Sequence, residues 1–192
     1  MTTPRIVRLP SRLDLPVLFT QLGLTGLGAE LGVASGIYSD AILRWWPGTL
    51  ISIDAWAGDR GHDQAQYRQA RARLAKWGER SRILAMTFDE ALGQIPDGAL
   101  DWVYIDGYAH TGNRDGETFR AWWPKVREGG LIGGHDYSDQ WPANREAVDR
   151  FAAWLGVQTM LITDDEPASW AVRRRAREES AITPHRNREE SF

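Results

Sequence analysis

The sequence of 192 residues contains no cysteine, which excludes disulfide bonds, thiolate metal sites and a cysteine nucleophile. It also lacks a basic excess: 23 Lys and Arg stand against 26 Asp and Glu, so no positive field favours nucleic acid as the main partner. No apolar run approaches the roughly 20 residues of a membrane span. The first ten residues hold no apolar core of a signal peptide. These absences favour a cytoplasmic globular protein that makes no membrane contact.

Tryptophan, in contrast, is frequent, with 10 residues in the chain. Most of them, including Trp77, Trp102 and Trp154, lie within regular apolar patterns and indicate core packing. Trp56 and Trp141 fall in predicted loops, where a large aromatic ring is a candidate for a binding surface.

Short apolar runs alternate with amphipathic segments along the chain. The predicted strands are residues 27–33, 50–54, 82–86, 100–106, 131–134, 159–163 and 169–173. The predicted helices are residues 15–22, 37–46, 65–77, 89–94, 115–126 and 144–155. This alternation predicts an α/β fold with one doubly wound, Rossmann-like sheet of about seven strands and helices on both faces. The sheet is expected to be mostly parallel, with a C-terminal antiparallel hairpin.

The same pattern predicts a single domain over residues 12–173. Residues 1–11 are assigned to an N-terminal extension, and residues 174–192 to a polar, charged tail without apolar periodicity. In parallel sheets of this kind, ligands bind beyond the carboxyl ends of the strands. The residues that directly follow each strand are therefore the candidates for a functional site.

The loop after the first predicted strand reads ELGVASG at 30–36. Gly32 permits a tight turn and Gly36 a close approach of the backbone to a ligand. The loop is neither a phosphate loop nor G-x-G-x-x-G, and Glu30 just before it suits a positively charged ligand group such as an ammonium or sulfonium. Asp54, at the end of the next strand, can accept both hydroxyls of a ribose. Together these residues predict an adenosyl ligand with a cationic tail.

These segments resemble the class I S-adenosylmethionine-dependent methyltransferases, and in particular a group of small O-methyltransferases that includes macrolide-sugar enzymes. The resemblance extends over residues 14–173. It rests on ELGVASG at 30–36, LISIDAW at 50–56, VYIDGYAH at 103–110, EGGLIGGHDYSD at 128–139 and EPASWAVR at 166–173.

The resemblance implies S-adenosylmethionine as the cofactor and assigns residues to its parts. Glu30 and Gly32 would lie near the methionine part, Asp54 would hold the ribose, and Asp106 would face the transferred methyl group. The implied cofactor-binding set also contains Ser35, Gly36, Ala55, Met86, Thr87 and Phe88, of which the last three would flank the adenine.

Four further polar residues follow the fourth and fifth predicted strands: Asp106, His110, His135 and Asp136. Transfer of a methyl group to a hydroxyl requires a base or a metal, because the hydroxyl must lose its proton. We expect Asp106 and Asp136 to bind a metal or the substrate hydroxyl, and His110 or His135 to accept the proton. An alternative for His135 is a structural histidine that bonds to the backbone of its own turn.

The resemblance also implies a metal site, because the sugar-methylating enzymes hold a divalent cation with carboxylates after these two strands. Asp106 and Asp136 match two of the ligands. His135 replaces an acid of the family pattern, which weakens the case for Mg²⁺ and favours Mn²⁺ or a mechanism without a metal.

The aromatic rings of Trp56, Tyr137 and Trp141 suit stacking on a sugar or a flat ring, in loops at 56–63 and 137–144. We therefore expect a small acceptor, with a sugar-containing one favoured, and a homodimer, which is common for this fold. The alternatives are a phenolic, nitrogen or nucleic-acid acceptor, a non-catalytic S-adenosylmethionine-binding module, and an NAD-dependent dehydrogenase.

Overall fold

The computed structural model describes residues 4–58 and 62–175. Its strands are β1 (Arg5–Leu9), β2 (Leu27–Leu31), β3 (Thr49–Asp54), β4 (Ser81–Ala85), β5 (Leu100–Ile105), β6 (Val126–Tyr137), β7 (Thr159–Thr163) and β8 (Ala168–Arg173). Its helices are α1 (Leu15–Gln21), α2 (Ile37–Trp45), α3 (Gln64–Leu74), α4 (Phe88–Leu92), α5 (Gly112–Asp115), α6 (Glu117–Trp122) and α7 (Pro142–Leu155). Short 3₁₀ turns cover Arg12–Asp14, Ala75–Arg80, Ala109–Thr111 and Trp123–Lys125.

The eight strands form one sheet in the order β1-β7-β8-β6-β5-β2-β3-β4. Strand β8 runs antiparallel to β6 and β7, and the other neighbours are parallel. The α/β prediction and the C-terminal antiparallel hairpin are therefore confirmed. The order turns outward in both directions from the β5–β2 pair, which is the switch point where such sheets form a ligand crevice.

The sheet has one strand more than the sequence pattern indicates. Strand β1 lies within the residues assigned to an N-terminal extension, and it pairs in parallel with β7 from Arg5↔Thr159 to Leu9↔Thr163. Four of its five residues are exposed. An edge strand of this kind shows no contrast between a buried and a solvated face, so the pattern gave no signal for it.

Apolar side chains cover both faces of the sheet, because successive residues of a strand point to opposite sides. In β5, Val103 and Ile105 pack with α6 and α7, whereas Trp102 and Tyr104 pack with α1 and α2. The ring of Trp102 stacks on Phe19 of α1, with 4.6 Å between centroids. This arrangement confirms helices on both faces of the sheet.

Three details differ from the predicted elements. The predicted strand at 27–33 ends at Leu31, because Gly32 takes a φ of +88°. The predicted helix at 115–126 is shortened to α6, because Pro124 lies in a 3₁₀ turn. Trp154, expected in the core, is 60% exposed on α7.

Among the described residues there is no helix with the length and apolar content that crossing a bilayer requires. Most of the predicted tail, residues 176–192, lies outside the described residues, as do residues 59–61 of the predicted acceptor loop.

Candidate functional site

One cleft of about 260 Å³ opens at the carboxyl ends of β2, β3, β5 and β6. The residues singled out in the sequence that line it are Gly32, Asp54, Ala55, Trp56, Thr87, Phe88, Asp106, His110, Asp136 and Trp141. His135 joins them through direct contacts with Asp106 and Asp136. The topology thus brings members of both predicted groups, which lie on different strands, to a single site. Four residues of the predicted cofactor set do not line the cleft: Glu30, Ser35, Gly36 and Met86.

Gly32 is the residue where β2 and β5 meet. The N–H of Asp106 donates to the carbonyl of Leu31 at 2.7 Å, which places the end of β5 against the first loop. A Cβ on Gly32 would lie 1.9 Å from the carbonyl oxygen of Asp106. With its φ of +88°, this position admits no other residue without movement of the backbone.

Gly36 lies close to Ala70 of helix α3. It precedes α2 with a φ of +75°, and a Cβ there would lie 3.2 Å from the Cα of Ala70 in α3. The start of α2 therefore lies close to α3 at this position, which favours glycine there. The carbonyl of Ser35 accepts a hydrogen bond from the guanidinium of Arg73, which also lies in α3.

Asp54 is buried and accepts bonds from several donors. Its Oδ2 accepts from the N–H groups of Val33 at 2.9 Å and Ala34 at 3.0 Å, and its Oδ1 from the N–H of Trp56 at 3.0 Å. The Nδ1 of His62 lies 2.7 Å from Oδ2. Burial acts to raise the pKa of Asp54, but these bonds outweigh it and hold the pKa below its ordinary value. Asp54 is thus a carboxylate that links the end of β3 to the loop between β2 and α2.

Glu30 is 1% exposed and accepts a bond from the hydroxyl of Ser39. Burial raises the pKa of Glu30 to about 8, although Ser39 and Arg12 oppose this rise. At neutral pH the side chain is therefore mostly protonated. A buried acid in this state is stabilised as a carboxylate only when a further positive charge is placed beside it.

Two aromatic side chains form another part of the cleft lining. Phe88 packs edge-on against Tyr108, with 5.3 Å between ring centroids, and both line the cleft. Thr87 caps α4 through a reciprocal pair of bonds with Glu90. Met86 does not line the cleft, and its sulfur lies 3.2 Å from the side-chain amide nitrogen of Gln94.

Asp106, His135 and Asp136 form a compact cluster. The Nδ1 of His135 lies 3.7 Å from Asp106 and 3.2 Å from Asp136, and one ligand atom from each residue lies within 4.8 Å of the others. Burial raises the pKa of Asp106, with a further contribution from Asp136, while His135 and Arg12 oppose it. One nitrogen and two oxygens at this spacing can hold a proton between them or bind one divalent cation.

Left-handed backbone surrounds this cluster. Tyr108 and Asp136 have φ values of +59° and +60°, and both line the cleft. Helix α5 is a left-handed turn, with φ of 52°, 56° and 57° at Asn113, Arg114 and Asp115. Each such residue other than glycine costs about 1–2 kcal/mol, so the surrounding contacts must hold the conformation.

Asn144 of α7 supplies these contacts. It is buried, and its amide nitrogen donates to the carbonyls of His135 and Asp136 at 3.0 Å each. Its oxygen accepts from the amide of Asn113 at 2.7 Å. A Cβ on Gly112 would lie 2.4 Å from the carbonyl of Ala143, which shows how closely the left-handed turn lies on the start of α7.

The three aromatic residues predicted to stack on an acceptor have separate positions. Trp56 is buried, packs on Tyr67 and donates to the carbonyl of Ala34, so its ring faces are not available to a ligand. Tyr137 does not line the cleft and donates to Asp149. Trp141 lies at the rim, 4.3 Å from the ring of the exposed His110.

Sequence reasoning missed His62 and Arg12. His62 lies in the predicted acceptor loop but was not singled out, because a single histidine in a loop gives no specific signal. Arg12 lies far from every motif, and its guanidinium is 3.4 Å from the carboxylate of Asp106 and 4.6 Å from the ring centroid of Tyr38. The pairing of β1 with β7, just before this turn, helps to place Arg12 beside Asp106.

A protein of Sinorhizobium fredii, y4gI, whose function is uncharacterized, is 30% identical to this chain over 116 residues. The match covers 57% of this chain and 12% of that protein, so the chain spans about an eighth of this curated relative's length.

Solved structures of O-methyltransferases share the fold. One from Bacillus cereus, in complex with SAH, has a TM-score of 0.64 at 17% identity, over 84% of this chain and 79% of that one. The O-methyltransferase NovP has a TM-score of 0.63 at 22% identity, over 86% and 80%. TomG from Streptomyces achromogenes, in complex with SAM, has a TM-score of 0.62 at 17% identity, over 86% and 80%.

A family model described as a methyltransferase domain matches residues 27–137, from the start of β2 to the end of β6. The matched segment contains Glu30, Asp54 and the cluster of Asp106, His135 and Asp136, and it makes up more than half of the sequence. This chain belongs to the methyltransferase-domain family.

Proposed function

We propose that this chain transfers a methyl group from S-adenosylmethionine to a hydroxyl of a small, sugar-containing acceptor. The observation that carries the proposal is the meeting of two groups in one cleft. Asp54 at the end of β3 lines the cleft together with Asp106, which follows β5, and Asp136 in the last part of β6. Glu30 lies in the neighbouring strand β2, two residues before Gly32 of the same lining, and with Asp54 it matches an adenosyl ligand with a cationic tail. The O-methyltransferases that share the fold, some of them solved with SAH or SAM, support it.

The residues present fit this cofactor. Asp54 is an ionised carboxylate, and one of its hydrogen-bond partners is the ring of His62. Ribose hydroxyls can replace this partner. Glu30 becomes a carboxylate when an ammonium or sulfonium lies beside it, because the added charge offsets the cost of burial. The faces of Phe88 and Tyr108 offer an apolar wall for a flat base. When bound, S-adenosylmethionine supplies an electrophilic methyl group on a sulfonium.

The cluster after β5 and β6 supplies the proton acceptor. His135 lies between two carboxylates, which stabilise the imidazolium that forms when the ring accepts a proton from the acceptor hydroxyl. Asp106 reaches the cleft from the neighbouring strand and orients the ring. His110 is the second candidate for the base, because it lies at the rim beside Trp141.

The same cluster fits a divalent cation. Asp106, Asp136 and the Nδ1 of His135 would hold it, and a nitrogen among the ligands suits Mn²⁺ better than Mg²⁺. Such an ion would lower the pKa of a bound hydroxyl and so reduce the demand on the base. Metal assistance is therefore part of the proposal.

A small, sugar-containing acceptor is supported by the aromatic ring at the rim of the cleft. Trp141 is the aromatic residue at the rim on which a sugar can stack. We also propose that the chain forms a cytoplasmic homodimer that binds neither membrane nor nucleic acid. Sedimentation of the purified chain tests the dimer.

The test is transfer of a labelled methyl group from S-adenosylmethionine to a panel of acceptors that includes glycosylated compounds, phenols and amines. Each reaction is run with EDTA, Mg²⁺ or Mn²⁺. We expect label on a sugar hydroxyl, greatest with Mn²⁺ and lost in Asp136→Asn, which keeps the left-handed tolerance of the side chain. Asp139→Asn is the matched control, because this acid is 92% exposed and three residues away. Binding of the cofactor without turnover on any acceptor would favour the non-catalytic module instead.

A further inference from the structure

Arg12 is an arginine that contacts Asp106, a partly exposed acid in the lining of the cleft. Its guanidinium lies 3.4 Å from Asp106, and its positive charge acts to lower the pKa of Glu30 as well as that of Asp106. The side chain is 30% exposed; it does not itself line the cleft, but it contacts Asp106, which does. No motif accounts for this charge.

The chemistry of the expected ligand requires such a charge. The methionine part carries an ammonium and a carboxylate on the same carbon. Glu30 and Asp106 suit the ammonium, but they would repel the carboxylate unless a cation were placed near them. An arginine is well suited to this task, since its fork of donors matches the two oxygens of a carboxylate.

We propose that Arg12 binds the α-carboxylate of the methionine part of the cofactor. This inference rests on the proposed function. The contact of Arg12 with Asp106 uses one guanidinium nitrogen and is long at 3.4 Å, where strong bonds of this type measure about 2.7–2.9 Å. The guanidinium can therefore turn from Asp106 to a ligand carboxylate at small cost and form two short bonds in place of one long one.

The backbone of Arg12 is fixed independently of its side chain. Its N–H donates to the carboxylate of Asp165 at 2.9 Å, and its carbonyl accepts from the hydroxyl of Tyr38 at 3.0 Å. The ring of Tyr38 also lies 4.6 Å from the guanidinium carbon, a cation–π contact. A substitution of the side chain thus leaves the turn and its connection to the β7–β8 hairpin in place.

The test compares two ligands that differ in the amino-acid tail. Calorimetry measures binding of S-adenosylhomocysteine, which carries the carboxylate, and of 5′-methylthioadenosine, which has the same adenosyl group without it. The proteins are wild type, Arg12→Gln, Arg12→Lys and the control Arg8→Gln, an exposed arginine that pairs with Asp164. Thermal melting of each variant accompanies the titrations.

We expect Arg12→Gln to weaken S-adenosylhomocysteine by about 10–100-fold, as for loss of a charge-assisted bond. Arg12→Lys should lie between this variant and wild type, because an ammonium cannot bind both oxygens. Methylthioadenosine should bind all four proteins alike.

An unchanged affinity of Arg12→Gln for S-adenosylhomocysteine would overturn the inference. An equal loss for both ligands would also overturn it, because it would assign Arg12 to the fold rather than to the carboxylate. If wild type bound neither ligand, the proposed function itself would fall, and that outcome is distinct from the other two.

Discussion

The two halves of the cleft are built from different kinds of residue. The cofactor half consists of residues 30–36, 54–56 and 86–88, after β2, β3 and β4. The acceptor half consists of residues 106–116 and 135–144, after β5 and β6. The cofactor half has left-handed backbone at two glycines, Gly32 and Gly36, and at two other residues, Ala34 and Trp56. The acceptor half places five non-glycine residues in left-handed backbone, of which Asn144 bonds two, Asn113 and Asp136. A glycine turn needs little support, but a left-handed turn of larger residues depends on distant contacts.

Gly32→Ala should have the largest effect, because Gly32 is where the two halves touch. Its added Cβ would overlap the carbonyl of Asp106, which is backbone and cannot rotate away. We expect a loss of more than about 3 kcal/mol in the free energy of unfolding, measured by denaturant titration.

Gly98→Ala is the matched control for this change. Gly98 also has a positive φ, of +70°, but a Cβ there meets nothing within 4 Å. It should cost only about 1–2 kcal/mol of backbone strain. Equal losses in the two variants would show that the halves do not meet at Gly32 as described.

Glu30→Gln should remove a dependence of stability on pH that belongs to the cofactor half. The pKa of Glu30 is about 8 in the folded chain against 4.5 for an ordinary glutamate. Because the pKa is higher in the folded chain, the contribution of Glu30 to the free energy of unfolding is fully present below pH 4.5. It is lost as the pH rises through 8. We expect wild type to lose roughly 3–5 kcal/mol relative to Glu30→Gln over this window in urea titrations.

Glu146→Gln is the control, since Glu146 is exposed on α7 and its removal should leave the pH profile unchanged. Parallel profiles for wild type and Glu30→Gln would contradict the buried, protonated state. The same state predicts that S-adenosylhomocysteine releases a proton from Glu30 when it binds at pH 7, detected as a dependence of the calorimetric enthalpy on the buffer.

Asn144→Ala should affect the acceptor half and leave the cofactor half unchanged. The change removes three hydrogen bonds of a buried amide, and we expect a cost of about 2–4 kcal/mol in the free energy of unfolding. Affinity for S-adenosylhomocysteine should stay within about threefold of wild type, since Asn144 contacts none of residues 30–36 or 54–56, while affinity for Mn²⁺ should fall by about tenfold or more. A matching loss of cofactor affinity would mean that the halves are not separate.

Asp115→Gly should have the smallest effect and the opposite sign. Asp115 is 95% exposed with a φ of +57°, a conformation that glycine adopts without strain. We expect the free energy of unfolding to rise by about 0.5–1 kcal/mol. Glu146→Gly, in ordinary right-handed helix, should lower it by about 1 kcal/mol. A destabilised Asp115→Gly would argue against the left-handed turn.

The cofactor half could be predicted from the sequence because its determinants are local. Gly32 marks a turn, Glu30 and Asp54 mark strand ends, and the parallel topology brings strand ends together. Even so, the sequence gives no sign of the contact of Gly36 with Ala70, 34 positions away in α3.

The acceptor half could be predicted only in its residue types. Asp106, His135 and Asp136 follow apolar strands and were found, but no pattern marks left-handed backbone at Asn113 or Asp136. The bond from Asn113 to Asn144 spans 31 positions, and the approach of Arg12 to Asp106 spans 94. Contacts of this range depend on how helices and edge strands pack, which short-range periodicity does not encode.

The most direct test of the account is calorimetric titration of wild type and Asp54→Asn with S-adenosylhomocysteine, with Asp97→Asn as an exposed control at the opposite end of the sheet. The account predicts micromolar binding to wild type and to Asp97→Asn, and loss of binding in Asp54→Asn. No binding to wild type at any pH or metal concentration would contradict the assignment of this cleft to S-adenosylmethionine.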